Sequence, residues 1–154
     1  MGAFWMITTK LPVRFVDCDA MGHVNNAVYY TYFEEGKREI FRWFTPSMDL
    51  SDWRVIVAST HCDYIQEINY DEEITVYTWI STISRSSFDV EHAIAGPSGN
   101  WHARGRVTLI GYDYKNKKVM PLTEAIKGIL KQHQDAPEGV PALRQIRIAE
   151  EIKD

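Results

Sequence analysis

Apolar and polar positions divide the chain into a long helical stretch set among strands. Residues 8–17 read as a strand, with Leu11, Val13 and Phe15 alternating with polar neighbours. From Asn26 to Phe44 the period becomes helical. At roughly 100° per residue, Glu34, Glu35, Arg38, Glu39 and Arg42 fill about 140° of arc. Opposite them lie Tyr29, Tyr30, Tyr32, Phe33, Gly36, Ile40, Phe41, Trp43 and Phe44. So broad an aromatic face predicts burial against a sheet. Gly36 falls inside that face, where a glycine costs about 1 kcal/mol relative to alanine, so a close approach of the sheet is expected there. Pro46 ends the helix.

Most of the remainder is predicted to be β. Residues 54–66 and 73–84 read as strands, and Phe88, Val90, His92 and Ile94 alternate with Asp89, Glu91 and Ala93. A turn at residues 96–100 returns the chain into a strand over 101–114. There Ala103, Gly105, Val107 and Leu109 form an inward row whose small members leave room for the helix. A short strand at 119–120, Pro121, and a second helix over 122–134 follow. The predicted class is α+β, an antiparallel sheet wrapped around one long central helix. Residues 1–134 form a single domain, and 135–154 a C-terminal extension that is either loosely attached or a lid. Such a sheet has open edges, which pairing of protomers would cover.

Charge and composition narrow the partners. A net charge of −4 without a broad basic surface argues against nucleic acid, and the basic cluster at 115–118 reads as a hairpin tip. No apolar run is long enough to span a membrane. The first residues do not resemble a secretion signal, and the two cysteines, Cys18 and Cys62, form no disulfide framework. Those features predict a cytoplasmic protein.

The chemistry-bearing stretch is residues 16–26, VDCDAMGHVNN. Asp19 leaves a strand, Gly22 supplies a turn, and Asn25 and Asn26 cap the long helix. A carboxylate beside open helix-start N–H groups is an arrangement suited to acyl transfer from a thioester. From the residues alone, a base and a mere turn aspartate are equal readings of Asp19. Asp17 is read as a structural hydrogen-bond or salt-bridge partner. His61 and Cys62, adjacent on a strand, point to opposite faces and form no metal site.

Residues 13–35, VRFVDCDAMGHVNNAVYYTYFEE, resemble the hotdog-fold thioesterases, in particular the 4-hydroxybenzoyl-CoA thioesterase type. The similarity extends weakly through Asp63-Tyr64, residues 71–73 and residues 85–88. It implies the hotdog fold, a catalytic role for Asp19 as nucleophile or base, and an oxyanion site at the backbone amide of Asn26. It further implies that Arg85 meets coenzyme A phosphates. Asn25 and Tyr29 are expected beside the substrate, and His23 is a candidate assistant. The His23-Val-Asn-Asn26 segment looks more like long-chain acyl-CoA and acyl-carrier-protein thioesterases, which favours a fatty acyl group. Coenzyme A or acyl carrier protein would be the carrier, and no metal or organic cofactor is implied. A homodimer or homotetramer is expected. The rival readings are a hotdog-fold hydratase or dehydratase using His23 with Asp19 or Glu35, and a non-catalytic acyl-binding module.

Overall fold

The computed structural model describes residues 6–144. Strand β1 (Ile7–Pro12) precedes helices α1 (Val28–Gly36) and α2 (Arg38–Phe44). Then come β2 (Val55–Tyr64), β3 (Glu73–Ile83), β4 (Ser87–Ala95), β5 (Trp101–Asp113), β6 (Lys118–Val119) and α3 (Glu124–Lys131). The strands form one antiparallel sheet in the order β1-β3-β4-β5-β2, with β6 beside β5. Among the described residues no helix is long and apolar enough to cross a membrane.

The first strand is shorter than its alternation suggested. It stops at Pro12, and Phe15–Asp17 winds into a 3-10 turn that leaves Phe15 and Val16 78% and 76% exposed. A carboxylate drives this departure. Asp17 is 2% exposed and accepts hydrogen bonds from the Arg14 backbone at 3.0 Å and the Arg14 guanidinium at 2.9 Å. Asp17 is therefore the structural partner it was expected to be, and the turn that buries it expels Phe15.

The central helix is also interrupted. It begins at Val28, two residues later than predicted, and changes segment at Lys37. Gly36 lies directly on the sheet: a Cβ there would stand 2.8 Å from Thr78 Oγ1 and 3.0 Å from Val76 Cγ1. The next residue, Lys37, is 1% exposed and pairs with Glu34 at 2.5 Å. Gly105 on β5 provides the matching recess, where a Cβ would stand 2.5 Å from the Phe33 ring.

The core has two apolar clusters. One gathers Tyr29, Tyr32 and Phe33 of α1 with Ile74, Val76, Ile94 and Ala103. The other gathers Ile40 of α2 with Val55, Ile80, Phe88, Val90, Val107 and Leu109, closed by Leu122 and Leu130. Between them, on the same inward row of the sheet, sit Thr78 and His92, both buried and hydrogen-bonded at 2.9 Å. A polar layer thus crosses the middle of the core.

Of the extension, residues 141–144 lie against the opposite face of the sheet. There the Arg104 guanidinium donates to the Pro141 carbonyl, the Arg144 N–H donates to Asp63 Oδ2 at 2.6 Å, and Leu143 is buried. The end of the predicted extension, 145–154, is outside the described residues.

Candidate active site

A tight hairpin tip presents Asp19. The Asp19 N–H donates to the His23 carbonyl at 2.8 Å, and the Gly22 N–H donates to the Asp19 carbonyl at 3.1 Å. Gly22 has a φ of 78°, the left-handed conformation that glycine adopts without a Cβ clash. Together these make a β-turn followed by a one-residue bulge, with aspartate first and glycine last as such turns favour. The neighbouring segment clamps the hairpin: Val24 N–H donates to the Ile68 carbonyl at 2.9 Å, and His23 bridges to Asn69.

Asp19 serves the turn with one oxygen only. Its Oδ1 accepts from the Met21 N–H at 2.9 Å and the His23 N–H at 3.4 Å. Its Oδ2 has no partner among the described residues. The turn reading and the base reading are therefore compatible, one oxygen for each. A carboxylate buried against Tyr29 and Tyr30 of the aromatic face would be the stronger base. The tip instead leaves Asp19 exposed, with Tyr29 sharing its cavity and Tyr30 elsewhere.

That cavity, of about 220 Å³, is lined by Asp19, His23, Val24, Asn26, Tyr29, Tyr64, Ile65, Gln66 and Glu67. Among the described residues neither lysine nor arginine lines it, so the charges there are two carboxylates and a histidine that can ionise. Burial raises the Tyr29 phenol to about 12, so it stays protonated at neutral pH.

The open N–H groups of the helix start are fewer than the sequence implied. Asn25 Oδ1 accepts from the Ala27 N–H at 2.9 Å, and the Asn25 carbonyl accepts from the Val28 N–H at 2.9 Å. Asn25 therefore shapes the turn that leads into the helix, but the N-cap is Ala27 and has no side-chain hydrogen bond, so neither asparagine is the cap that was predicted. The reason is that the helix begins after an Ala27 already in helical conformation. The Asn26 N–H has no partner among the described residues, and Asn26 lines the cavity with Asp19.

Other candidates lie apart. Arg85 is exposed in the β3–β4 turn, at the far end of β3 from the hairpin tip, and its carbonyl accepts from the Leu122 N–H. β3 has 11 residues, roughly 35 Å at the usual rise. Glu35 lines a different cleft, with Leu11, Pro12, Arg14 and Tyr32, so it does not meet His23. Tyr64 and Glu67 escaped the sequence reading as cavity residues. Tyr64 had a usable signal, since on β2 it shares the inward face with Cys62. Glu67 lies in an irregular segment with no periodicity to read.

An antiparallel sheet around a helix, with an aspartate turn at the helix start, defines the hotdog-fold thioester hydrolases. The chain belongs to the thioesterase-like superfamily, whose profile matches residues 13–130. A predicted thioesterase from Bacillus stearothermophilus superposes with a TM-score of 0.82 at 30% identity, covering 86% of this chain and 98% of that one. A thioesterase from Thermus thermophilus, solved with coenzyme A and Zn, superposes with a TM-score of 0.72 at 31% identity, covering 80% and 96%. The uncharacterized protein YsmA of Bacillus subtilis is 27% identical over 121 residues, 79% of this chain and 82% of YsmA.

Proposed function

We propose that this thioester hydrolase acts on acyl-coenzyme A carrying a fatty or other hydrophobic acyl group, with Asp19 as base or nucleophile. One observation carries the reading: an unengaged carboxylate oxygen, Asp19 Oδ2, and an unengaged N–H, that of Asn26, belong to residues lining one cavity. As a base, Asp19 takes a proton from water while the water oxygen adds to the carbonyl carbon. As a nucleophile, it forms a mixed anhydride that water then opens. Either way the carbonyl oxygen becomes an oxyanion, and the Asn26 N–H donates to it; one such donor is worth about 3–4 kcal/mol. The thiolate then departs, helped by a thiol pKa near roughly 8.5.

Val24, Tyr29, Tyr64 and Ile65 offer apolar surface to the acyl group. His23 stands within the same lining and orients the substrate or Asp19, and Asn25 acts through the turn it makes. The coenzyme A assignment is supported by the Thermus relative solved with that molecule. The phosphates need cations, and among the described residues none lines this cavity. Arg85 of the same protomer is too distant, so its proposed phosphate contact serves the site of a second copy. The open edge of β2, where Ile56 and Val57 are 38% and 42% exposed, is the proposed pairing surface of a homo-oligomer.

The test is thiol release from acyl-CoAs of increasing chain length, run beside Asp19→Asn. Hydrolysis by the natural protein and its loss in the variant are expected. Absence of thiol release across the panel overturns the reading, and hydration of an enoyl-CoA would support the pairing of His23 with Asp19 instead.

A further inference from the structure

We infer that Tyr64 is a positioning residue for the oxyanion site: its hydroxyl holds the Asn26 carbonyl and thereby aims the Asn26 N–H. This inference rests on the hydrolase reading above and adds a residue to it.

Asn26 sits between two peptide planes, and both are pinned. The plane before it is fixed by the Asn25 carbonyl, which accepts from the Val28 N–H at 2.9 Å. A trans peptide directs its N–H opposite to its carbonyl, so the Asn26 N–H points back out of the helix start. The plane after it is held at both ends. Its N–H, that of Ala27, donates to Asn25 Oδ1 at 2.9 Å, and its carbonyl, that of Asn26, accepts from the Tyr64 hydroxyl at 2.8 Å. With both planes fixed, the dihedrals of Asn26 have no freedom to swing its N–H from that direction, and Asn26 is a lining residue of the cavity.

Tyr64 suits this task. It comes from the end of β2, 38 residues along the chain, so it ties the helix start to the sheet rather than to its own loop. Its ring meets Tyr29 edge-on at 4.8 Å, which sets the direction of the hydroxyl. Burial raises the phenol's pKa, so at neutral pH the hydroxyl keeps the proton it donates. The cavity includes both Tyr64 and Asn26, so the brace stands at the reacting centre. A donor misaimed by a fraction of an ångström stabilises the oxyanion less while leaving the ground-state carbonyl nearly unaffected.

Tyr64→Phe removes the hydroxyl and keeps the ring against Tyr29. With an acyl-CoA that the natural protein hydrolyses, kcat is expected to fall by about ten- to a hundredfold with KM within about twofold. The affinity for a non-hydrolysable thioether analogue should be unchanged. The added variant Asn25→Ala, which frees the other end of the same plane, should lower kcat in the same manner. If Tyr64→Phe keeps kcat within twofold, or raises KM while kcat stands, Tyr64 is not a positioning residue. The Asp19→Asn variant separates the two layers: full activity there defeats the hydrolase reading itself, whereas an inactive Asp19→Asn beside an unimpaired Tyr64→Phe defeats only the brace.

Discussion

Asp17 and Tyr32, fifteen residues apart, join the chain before the active turn to the helix after it: the Tyr32 hydroxyl donates to Asp17 Oδ2 at 2.9 Å. Burial pushes the Asp17 carboxyl up, but bonds from the Arg14 side chain and backbone and from Tyr32 outweigh it and hold the group below its ordinary value of 3.8. A carboxylate lowered in the folded state stabilises fully above the unfolded value and loses that contribution as pH falls through the folded one. Tyr32→Phe should therefore cost about 1.5–3 kcal/mol at pH 7. In urea denaturation the deficit should shrink as pH falls below 3.8 and on through the lowered folded-state value, where Asp17 protonates in the natural protein too.

The polar layer of the core predicts a second, separate acid response. His92 is fully buried, its Nδ1 pairs with Thr78, its ring stacks on Phe33 at 4.8 Å, and its Nε2 has no partner among the described residues. Burial first, then the charges of Lys37 and Arg104, push its pKa well below the ordinary 6.5. The unfolded chain takes up a proton that the folded one refuses. Stability is therefore complete above about pH 6.5 and declines as pH falls below it, with a limiting slope of about 1.4 kcal/mol per pH unit. The His92 ring signals should not titrate by NMR between pH 7 and 5. His92→Gln should remove one proton's worth of slope in that window.

Much of this was legible in the sequence, because periodicity reports which face is buried. The inward row Ala103, Gly105, Val107 and Leu109 and the close contact at Gly36 follow from alternation and helical spacing alone. What periodicity cannot report is a polar group buried through distant partners. Asp17 needed Tyr32, fifteen residues along, and Arg104 needed a carbonyl 37 residues away. The aspartate turn was readable from Asp19 and Gly22. Which helix-start N–H stays open was named only through the resemblance, as that of Asn26; the residues alone could not single it out, since it depends on Ala27 entering the helix before Val28.

Three glycines should answer alanine differently. Gly36→Ala would gain about 1 kcal/mol of helix propensity but force a Cβ against Thr78 and Val76, for a net loss of about 1–2 kcal/mol. Gly105→Ala meets the Phe33 ring at 2.5 Å with no helical gain, and should lose more. Gly128, inside α3, has nothing within 4 Å of a Cβ. Gly128→Ala should therefore stabilise by about 0.5–1 kcal/mol. Denaturation midpoints of the three variants test the order directly; a destabilised Gly128→Ala would contradict it.

The segment 135–144 should depend on Arg104. That guanidinium is 3% exposed, lies 5.0 Å above the Trp79 ring, pairs with Glu91 and donates to the His92 and Pro141 carbonyls. Burial works to lower its pKa, and the Glu91 carboxylate opposes that, so the pair is the condition on which a cation can sit beneath the segment. Glu91→Gln leaves the cation without its counter-charge and should destabilise by about 3–5 kcal/mol. Arg104→Met leaves as the unpaired charge Glu91, which at 15% exposure is nearer water than the 3% exposed Arg104, and keeps much of the apolar stem, so it should cost less than Glu91→Gln. It should nevertheless speed hydrogen exchange across 135–144, since Pro141 loses its donor while the Arg144 to Asp63 bond remains. Exchange measured by mass spectrometry on peptides from that segment decides the matter: unchanged protection in Arg104→Met would mean that Leu143 and Asp63 hold the segment without it.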